Sequence, residues 1–455
     1  MSILPSLLLQ SLQNVEGFDE AAFVAVHESR EQITSIRINP SKEFNANSHF
    51  GNAEKVAWST KGYYLQERPS FTIDPLFHAG AYYVQEASSM FLEEVVKQTC
   101  DLTKPLRVLD LCAAPGGKST LLQSIISDES ILVSNEVIKA RVNILTENIT
   151  KWGASNVVVT NNDPKDFQRL PNFFDVIVVD APCSGSGLFR KDNNAINEWS
   201  AGSVEMCSLR QQRILADILP SIKPGGILIY STCSYSDSEN EEILDKMVDE
   251  LGLKNISLDI SEFRGIVDSV SKNTHSKGYR FYPDKIKGEG FFIAAFKKNE
   301  EEAEDEKRIK YKDLRIPKIA EEIVKTYVAG NEKYTFIAQR EDILAIPTDI
   351  INSFYEVQFA MYIKQAGTKI GTLIRNELIP AHEFVLSKLV SDKIPRIDIL
   401  LSIAQDFLRR KEISIDTNIR GWAILVYDGA QLGFVKILPG RINNYYPKDL
   451  RILNK

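Results

Sequence analysis

The sequence predicts an α/β fold class in which a doubly wound, mostly parallel sheet lies between smaller domains at the two ends of the chain. From residue 106 to about residue 298, short apolar runs alternate with stretches of helical spacing. That alternation is typical of a parallel sheet with helices on both faces. Glycines, acids and thiols follow several of the apolar runs directly. We therefore expect them at the carboxyl edge of the sheet, where open α/β sheets bind ligands.

The individual elements follow from the same periodicities. Strands are predicted at six apolar runs, namely 107–111, 131–136, 156–160, 176–179, 227–231 and 291–297. Helices are predicted between them at 119–127, 138–151 and 208–222. Upstream of the sheet, apolar residues at roughly helical spacing predict a further helix over 83–97.

Changes in composition divide the chain into four parts. Residues 1–74 mix helical and short strand patterns, which predicts an N-terminal α+β accessory domain. The sheet domain is expected at 75–298. Six acids among the seven residues 300–306 indicate a solvated linker, so 299–360 is read as an acidic linker and a helical connecting module. Residues 361–455 form the expected C-terminal domain.

Charge is distributed unevenly along the chain. The 455 residues carry a formal net charge of −7. Residues 361–455 hold 15 Lys and Arg against 9 Asp and Glu, a net of +6, which leaves −13 for the rest. A basic domain on an acidic body favours a polyanionic partner such as nucleic acid, with ordinary solvated surface as the alternative.

Several classes of protein are disfavoured. No apolar run approaches the roughly 20 residues of a membrane-spanning helix, and the first residues lack a basic start and a cleavage site. Five cysteines without a CxxC pair argue against disulfides or zinc, and the five histidines do not cluster in sequence. We expect a cytoplasmic protein with reduced thiols, no metal and no membrane contact.

The predicted sheet edge carries the features of a nucleoside-binding site. The loop after the first strand lacks the spacing of a P-loop or of GxGxxG, yet its two glycines allow a ligand to approach the backbone. Glu136 ends the second strand, Asp163 follows the third and Asp180 ends the fourth. Each acid alone is more often a helix cap or a surface charge. Together they predict a nucleoside cofactor bound by these acids and by the loop Cys112, Ala113, Ala114, Pro115, Gly116, Gly117 and Lys118.

Two cysteines follow buried strands at the same edge. Cys183 lies in the segment 180–185 and Cys233 in the segment 231–234. Two thiols facing a cofactor loop suggest covalent chemistry on an electrophilic ring, because a thiolate is a strong nucleophile. The alternative is a structural role, since free cysteines are often buried.

The order of these motifs resembles the S-adenosylmethionine-dependent RNA cytosine-5 methyltransferases, the Nop/Sun or Fmu family. The resemblance covers nearly all of 80–298 and rests on DLCAAPGGKST, NEVIKAR, NND, VVDAPCSGSG, KPGGILIYSTCS and GEGFFIAAFKK. Segments 421–436 and 443–451 are similar to the PUA-like RNA-binding end of the RsmF-like subgroup, which modifies small-subunit ribosomal RNA. The resemblance implies a Rossmann-like methyltransferase sheet.

The resemblance also assigns roles to residues. S-adenosylmethionine is the implied cofactor, and Cys233 is the implied nucleophile toward C6 of cytosine. Cys183 is the implied release residue, and the carboxyl group of Asp180 is expected to hydrogen-bond the base. Lys118 is a weaker candidate for a charge beside the thiols. We further expect the cofactor site to be complete within 80–298.

The implied partner is RNA, most simply small-subunit ribosomal RNA or the ribosomal subunit, bound by a monomer. The basic cluster expected to meet phosphates is Lys436, Arg441, Lys448 and Arg451. Two alternatives stay open. The substrate could be transfer RNA, or the protein could be a ribosome-assembly factor that binds RNA without methylating it. The intact Cys183, Cys233 and Asp180 disfavour the second alternative.

Overall fold

The computed structural model describes residues 4–29, 31–300 and 314–453. The acidic run at 300–306, predicted to be a linker, lies outside the described residues except for Glu300. None of the described helices is both long enough and apolar enough to cross a bilayer.

The N-terminal part is built on a four-stranded antiparallel sheet of order β2-β3-β1-β4. Its strands are β1 (Thr34–Ile38), β2 (Glu54–Lys55), β3 (Gly62–Leu65) and β4 (Tyr82–Val84), and its helices are α1 (Ser6–Leu12), α2 (Glu20–Glu28), α3 (Ala46–Phe50) and α4 (Pro75–His78). The predicted helix over 83–97 is wrong at its start, because β4 pairs with β1. The helix α5 covers Leu92–Thr99.

A buried arginine joins this part to the next. Arg37, on β1, is 1% exposed. Its guanidinium donates to Gln85 Oε1 at 2.8 Å and to Thr120 Oγ1 at 2.6 Å, and it lies 4.5 Å from the centroid of the Trp152 ring. Burial lowers the pKa of Arg37 to about 9, against the charge of Glu93, so the guanidinium stays protonated at neutral pH.

The central sheet confirms the predicted alternation. Five strands are parallel, in the order β9-β8-β5-β6-β7, and antiparallel strands extend both edges. The strands are β5 (Arg107–Asp110), β6 (Ile131–Asn135), β7 (Val157–Thr160), β8 (Phe174–Asp180), β9 (Ile222–Thr232), β10 (Lys254–Ile256), β11 (Val267–Val270), β12 (Lys277–Phe281) and β13 (Phe291–Lys297).

Helices cover both faces of this sheet. They are α6 (Gly117–Ile125), α7 (Lys139–Trp152), α8 (Asn193–Glu198), α9 (Ala201–Ile218) and α10 (Glu241–Asp249). Two apolar cores result, one beneath α9 and α10 and the other beneath α5, α6 and α7. The alternate side chains of Val157, Val158 and Val159 divide between the two cores, as expected for a strand buried on both faces.

The part between the central sheet and the last sheet, which includes the predicted helical module of 299–360 and the start of the predicted domain 361–455, is mixed rather than helical. Its elements are α11 (Lys318–Lys325), β14 (Tyr334–Gln339), β15 (Asp342–Pro347), α12 (Ile351–Ala360), β16 (Ile363–Ala366), β17 (Thr368–Ile374), β18 (Glu377–Pro380) and α13 (His382–Leu386). Four of these strands form a separate sheet of order β14-β15-β17-β18. The fifth, β16, pairs antiparallel with β7 and extends the central sheet.

The last part folds against the first. A sheet of order β19-β20-β21-β22 is made of β19 (Arg396–Asp398), β20 (Gly421–Tyr427), β21 (Ala430–Leu438) and β22 (Arg441–Asn444), with α14 at Leu401–Leu408. Phe407 and Tyr446 share one apolar core with Phe71 and Tyr82 of the N-terminal part. The limits 1–74, 75–298, 299–360 and 361–455 stay a prediction.

Candidate active site

The structure brings the two predicted cysteines into contact. Cys183 follows β8 and Cys233 follows β9, and their Sγ atoms are 2.9 Å apart. Asp180 and Ser231 are partners across this parallel strand pair, and the Ser231 hydroxyl donates to Asp180 Oδ1 at 2.8 Å. Adjacent parallel strands therefore place both thiols and one carboxylate at a single point of the sheet edge.

The two thiols titrate as one coupled pair. The hydrogen bond to Cys233, together with burial, raises the pKa of the Cys183 thiol well above its ordinary value. The contact therefore favours a state in which one proton is held between the two sulfur atoms. A thiol must lose its proton before it can attack, so this pair can supply one thiolate and one thiol.

A fixed positive charge lies beside this pair. Lys118 Nζ is 2.9 Å from Asp180 Oδ2 and 5.1 Å from the centroid of the Phe291 ring. Burial acts against the ammonium ion, but the charge and hydrogen bond of Asp180, together with the charge of Asp110, outweigh burial and raise the pKa of Lys118. Lys118, the weaker candidate from the sequence, therefore belongs to the same cluster as Asp180.

A residue that the sequence analysis did not single out holds the two cysteine loops together. Glu239, fully buried, accepts hydrogen bonds from Ser184 N–H at 2.8 Å and from Ser184 Oγ at 2.5 Å. The Ser234 hydroxyl donates to the same carboxylate at 2.6 Å. Ser184 directly follows Cys183 and Ser234 directly follows Cys233, so one carboxylate fixes both thiols. Only its place six residues after Cys233 in an acidic stretch could have drawn attention to Glu239.

The predicted cofactor loop connects β5 to α6. Gly116 has φ +115°, a conformation that disfavours any side chain, and it is the N-cap of α6. Helix α7 holds the loop from outside: the Arg141 guanidinium donates to the Ala114 carbonyl at 2.6 Å and Asn148 Nδ2 donates to the Pro115 carbonyl at 2.8 Å. The pKa of the Cys112 thiol is raised by burial and by nearby carboxylates, which leaves it unreactive.

Glu136 has the properties expected of a group that binds ribose. It is 2% exposed, and its Oε1 accepts from the Ile138 N–H at 2.8 Å. Its Oε2 is 3.3 Å from Arg141 Nη1 but accepts no hydrogen bond from the described residues. A buried carboxylate oxygen without such a partner fits the hydroxyl groups of a bound nucleoside.

Asp163 does cap a short helical turn. Its Oδ1 accepts from the Lys165 N–H at 3.1 Å, while its Oδ2 is 3.9 Å from Arg213 Nη2. The side chain is 44% exposed. The cap therefore occupies one oxygen, and the second lies within ion-pair distance of Arg213 on a partly exposed side chain. Capping and cofactor binding are compatible at this position.

Comparison with known proteins agrees with this geometry. Residues 98–297 match the model of the 16S rRNA methyltransferase RsmB/F family, 4–87 match the N-terminal domain of RsmF, and 395–452 match the RsmF PUA domain. The ribosomal RNA small subunit methyltransferase F of Psychromonas ingrahamii is 30% identical over 92% of this chain and 90% of its own length. The chain belongs to the RsmF family of S-adenosylmethionine-dependent RNA methyltransferases.

Other relatives and solved structures support the same conclusion. The methyltransferase F of Shewanella loihica is 29% identical over 91% of this chain and 88% of its own length. A methyltransferase homologue from Pyrococcus horikoshii is 26% identical over 65% of this chain and all of its own, with a TM-score of 0.52. NSun6 from the same organism, crystallised with the cofactor analogue SFG, shares the fold at 20% identity, 65% and 99% coverage and a TM-score of 0.53.

The basic cluster of this RsmF-family chain is not uniform. Lys436 Nζ lies 2.6 Å from Glu377 Oε1 and 5.1 Å from the centroid of the Trp422 ring, so its charge already has a partner. The other three side chains, Arg441, Lys448 and Arg451, are exposed. We therefore propose that these three side chains make the greater part of the phosphate contacts.

Proposed function

We propose that this protein methylates C5 of a cytidine in small-subunit ribosomal RNA. The observation that carries the proposal is the contact between Cys183 and Cys233 at 2.9 Å, beside the ion pair of Asp180 and Lys118. Carbon C5 of cytosine is a weak nucleophile until another group adds to C6, and a thiolate is suited to that addition. The ribosomal RNA target is suggested by the names of the relatives.

The proposed reaction assigns each side chain one task. The Cys233 thiolate adds to C6, and the electron pair at C5 then takes the methyl group that S-adenosylmethionine supplies when bound. A base removes the C5 proton, the electrons of that bond re-form the C5–C6 double bond, and the Cys233 sulfur leaves as thiolate. Cys183 assists this release. Asp180 hydrogen-bonds the base where charge develops during the addition.

The residues at the sheet edge fit the proposed cofactor. The loop 112–118 would approach the methionine part, and Asp163 would accept from the adenine amino group. The Oε2 of Glu136, which accepts no hydrogen bond from the described residues, would accept from the ribose. Asp180 would stand between cofactor and base. The target cytidine has to be single-stranded or extruded from a helix to reach the thiols, at a cost of a few kcal/mol. We propose that the C-terminal domain contributes the binding energy that offsets this cost, acting in a cytoplasmic monomer.

Bisulfite sequencing of small-subunit ribosomal RNA tests the proposal. In RNA from cells that carry the gene, one cytidine should resist bisulfite conversion. The same position should read as thymidine in RNA from cells without the gene. Complementation by the Cys233→Ala variant should not restore the protected position, whereas the Cys207→Ala variant should. A modification found only in transfer RNA would overturn the ribosomal target. The absence of any protected cytidine would overturn the proposed reaction.

A further inference from the structure

A segment from the C-terminal half lies at the adenosine end of the proposed cofactor site. Strand β16 pairs with β7 and brings Tyr362 beside the loop that carries Asp163. The Tyr362 carbonyl accepts from Asn161 N–H at 3.2 Å and from Asn162 Nδ2 at 3.1 Å, and Tyr362 N–H donates to Asn162 Oδ1 at 3.0 Å. Two consecutive asparagines thus attach this loop to a residue 200 positions later in the chain.

The attachment continues to the cofactor loop. Asn162 N–H donates to Asn135 Oδ1 at 3.0 Å, and Asn135 Nδ2 donates to the Leu111 carbonyl at 3.2 Å. The Asn135 carbonyl accepts from Ala113 N–H at 2.8 Å. Both asparagine side chains are buried. A continuous series of hydrogen bonds therefore connects Tyr362 with the start of the loop after β5.

Three large apolar side chains around this corner of the sheet are exposed to solvent. Val137 and Ile138 are 51% and 50% exposed, and Tyr362 is 65% exposed. Asn161 Nδ2 donates to the Val137 carbonyl at 3.1 Å. Asn161 therefore hydrogen-bonds to the main chain on both sides of this corner, at Val137 and at Tyr362. The ring and hydroxyl of Tyr362 make no hydrogen bond, ion pair or ring contact with the described residues.

We propose that Tyr362 forms one wall of the adenine subsite, so that the C-terminal half completes the cofactor site. The inference rests on the proposed placement of the cofactor along Glu136 and Asp163. A purine has two apolar faces and a polar edge, and the corner offers apolar side chains on both sides of an acid. Aromatic side chains bind such rings by stacking or edge contact. Asn162 is a positioning residue, because the hydrogen bonds of its side chain to the described residues go to the Tyr362 main chain.

Calorimetric titration of the full-length protein with S-adenosylmethionine, without RNA, measures cofactor affinity and so tests whether Tyr362 contacts the adenine. Tyr362→Ala should weaken cofactor binding about 10-fold, a loss within the usual range for removing an aromatic stacking partner. Tyr362→Phe should bind as the parent does, because it keeps the ring. Ile374→Ala, which shortens an equally exposed apolar side chain on β17, should also leave the affinity unchanged. Since Tyr362 is exposed, none of these variants should unfold.

One further variant distinguishes failure of this inference from failure of the proposed cofactor site. Glu136→Ala should weaken binding at least about 10-fold, as expected when a charged hydrogen-bond acceptor is lost. If Glu136→Ala weakens binding and Tyr362→Ala does not, the wall is refuted and the cofactor site stands. If neither variant weakens binding, the cofactor lies elsewhere and both proposals fail.

A double-mutant cycle tests the role of Asn162. Asn162→Ala removes two hydrogen bonds to the Tyr362 main chain and should weaken cofactor binding through the displaced ring. The double variant Asn162→Ala, Tyr362→Ala should then bind no more weakly than the weaker of the two single variants. Losses that multiply in the double variant would refute the positioning role.

Discussion

At the scale of single residues, one buried carboxylate organises the reactive centre. Glu239 receives hydrogen bonds from the residues that directly follow both cysteines, and Gln211 Nε2 adds a further donor at 3.2 Å. An acceptor shared by two loops fixes their separation. The thiol contact of 2.9 Å thus depends on a residue that touches neither thiol in the hydrogen-bond network.

We predict that Glu239→Gln slows methyl transfer about 100-fold, the loss expected from a displacement of roughly 1 Å in reacting groups. The amide cannot accept all the donors that face the carboxylate. Cofactor affinity should not change, which separates misplaced thiols from a damaged fold. Radiolabelled methyl transfer gives the rate and calorimetry gives the affinity. Glu242→Gln, an exposed neighbour, is the matched control.

The buried carboxyl group of Asp110 makes the stability of the fold depend on pH. Burial raises its pKa to about 7, partly offset by the Ser119 hydroxyl, which donates at 2.6 Å. Because the folded state binds the proton more tightly than the unfolded chain does, Asp110 lowers stability as pH rises from about 4 to 7. We predict that Asp110→Asn removes a slope of up to about 1.4 kcal/mol per pH unit. Urea unfolding of both proteins between pH 4 and 8 measures it, and parallel curves would contradict the assignment.

At the scale of elements, each of the six apolar runs correctly predicted a strand of the central sheet. The parallel strands are buried on both faces, so they appear as continuous apolar stretches. The helix predicted over 83–97 failed at its start because β4 pairs with β1, more than 40 residues upstream. Strand β16 was missed for the same reason, since its partner β7 is distant in sequence and its own pattern is short.

The residues of the candidate site fall into the same two groups: those that local sequence places and those that tertiary contacts place. The cysteines, Asp180 and Glu136 follow strands whose positions local sequence sets, so their shared edge was predictable. Tertiary hydrogen bonds, which local sequence patterns do not reveal, attach Glu239 to both cysteine loops and Tyr362 to the loop before Asp163. The expectation that the cofactor site is complete within 80–298 stays a prediction. The proposed wall at Tyr362, whose main chain holds the loop before Asp163, stands against it.

Arg37 joins β1 to helix α6, so its loss should loosen two elements at once. We predict that Arg37→Ala lowers the apparent free energy of unfolding by about 1–3 kcal/mol, because Gln85 and Thr120 lose a buried partner. Arg68→Ala, at an exposed site before α4, should change it by less than about 0.5 kcal/mol. Urea unfolding followed by tryptophan fluorescence compares them. Equal midpoints for Arg37→Ala and the parent would contradict this anchor.

At the scale of the whole molecule, the two ends of the chain support one another. The C-terminal sheet shares an apolar core with the N-terminal sheet, and β16 extends the central sheet. The basic domain is therefore held in a fixed position relative to the reactive thiols. Because the acidic remainder repels polyanions, we propose that RNA binds at the basic domain.

We predict that replacing Arg441, Lys448 and Arg451 by alanine reduces the slope of log RNA affinity against log salt by about 2, since each phosphate contact contributes roughly 0.7–0.9. Lys436→Ala should change it less, because Glu377 already neutralises that charge. The charge-matched control replaces the exposed Lys104, Lys254 and Lys272 of the central part. Filter binding across a salt series measures the slopes. Identical slopes for both triple variants would remove the RNA-binding role from this cluster.

The most direct test of the proposed chemistry is a denaturing gel of labelled small-subunit ribosomal RNA incubated with S-adenosylmethionine and each cysteine variant. Cys183→Ala should form the covalent adduct and release it slowly, so RNA should migrate with the protein. Cys233→Ala should give neither adduct nor methylated product, because the group that adds to C6 is gone. RNA trapped by Cys233→Ala and not by Cys183→Ala would reverse the two roles. Methyl transfer by Cys233→Ala would refute the covalent mechanism.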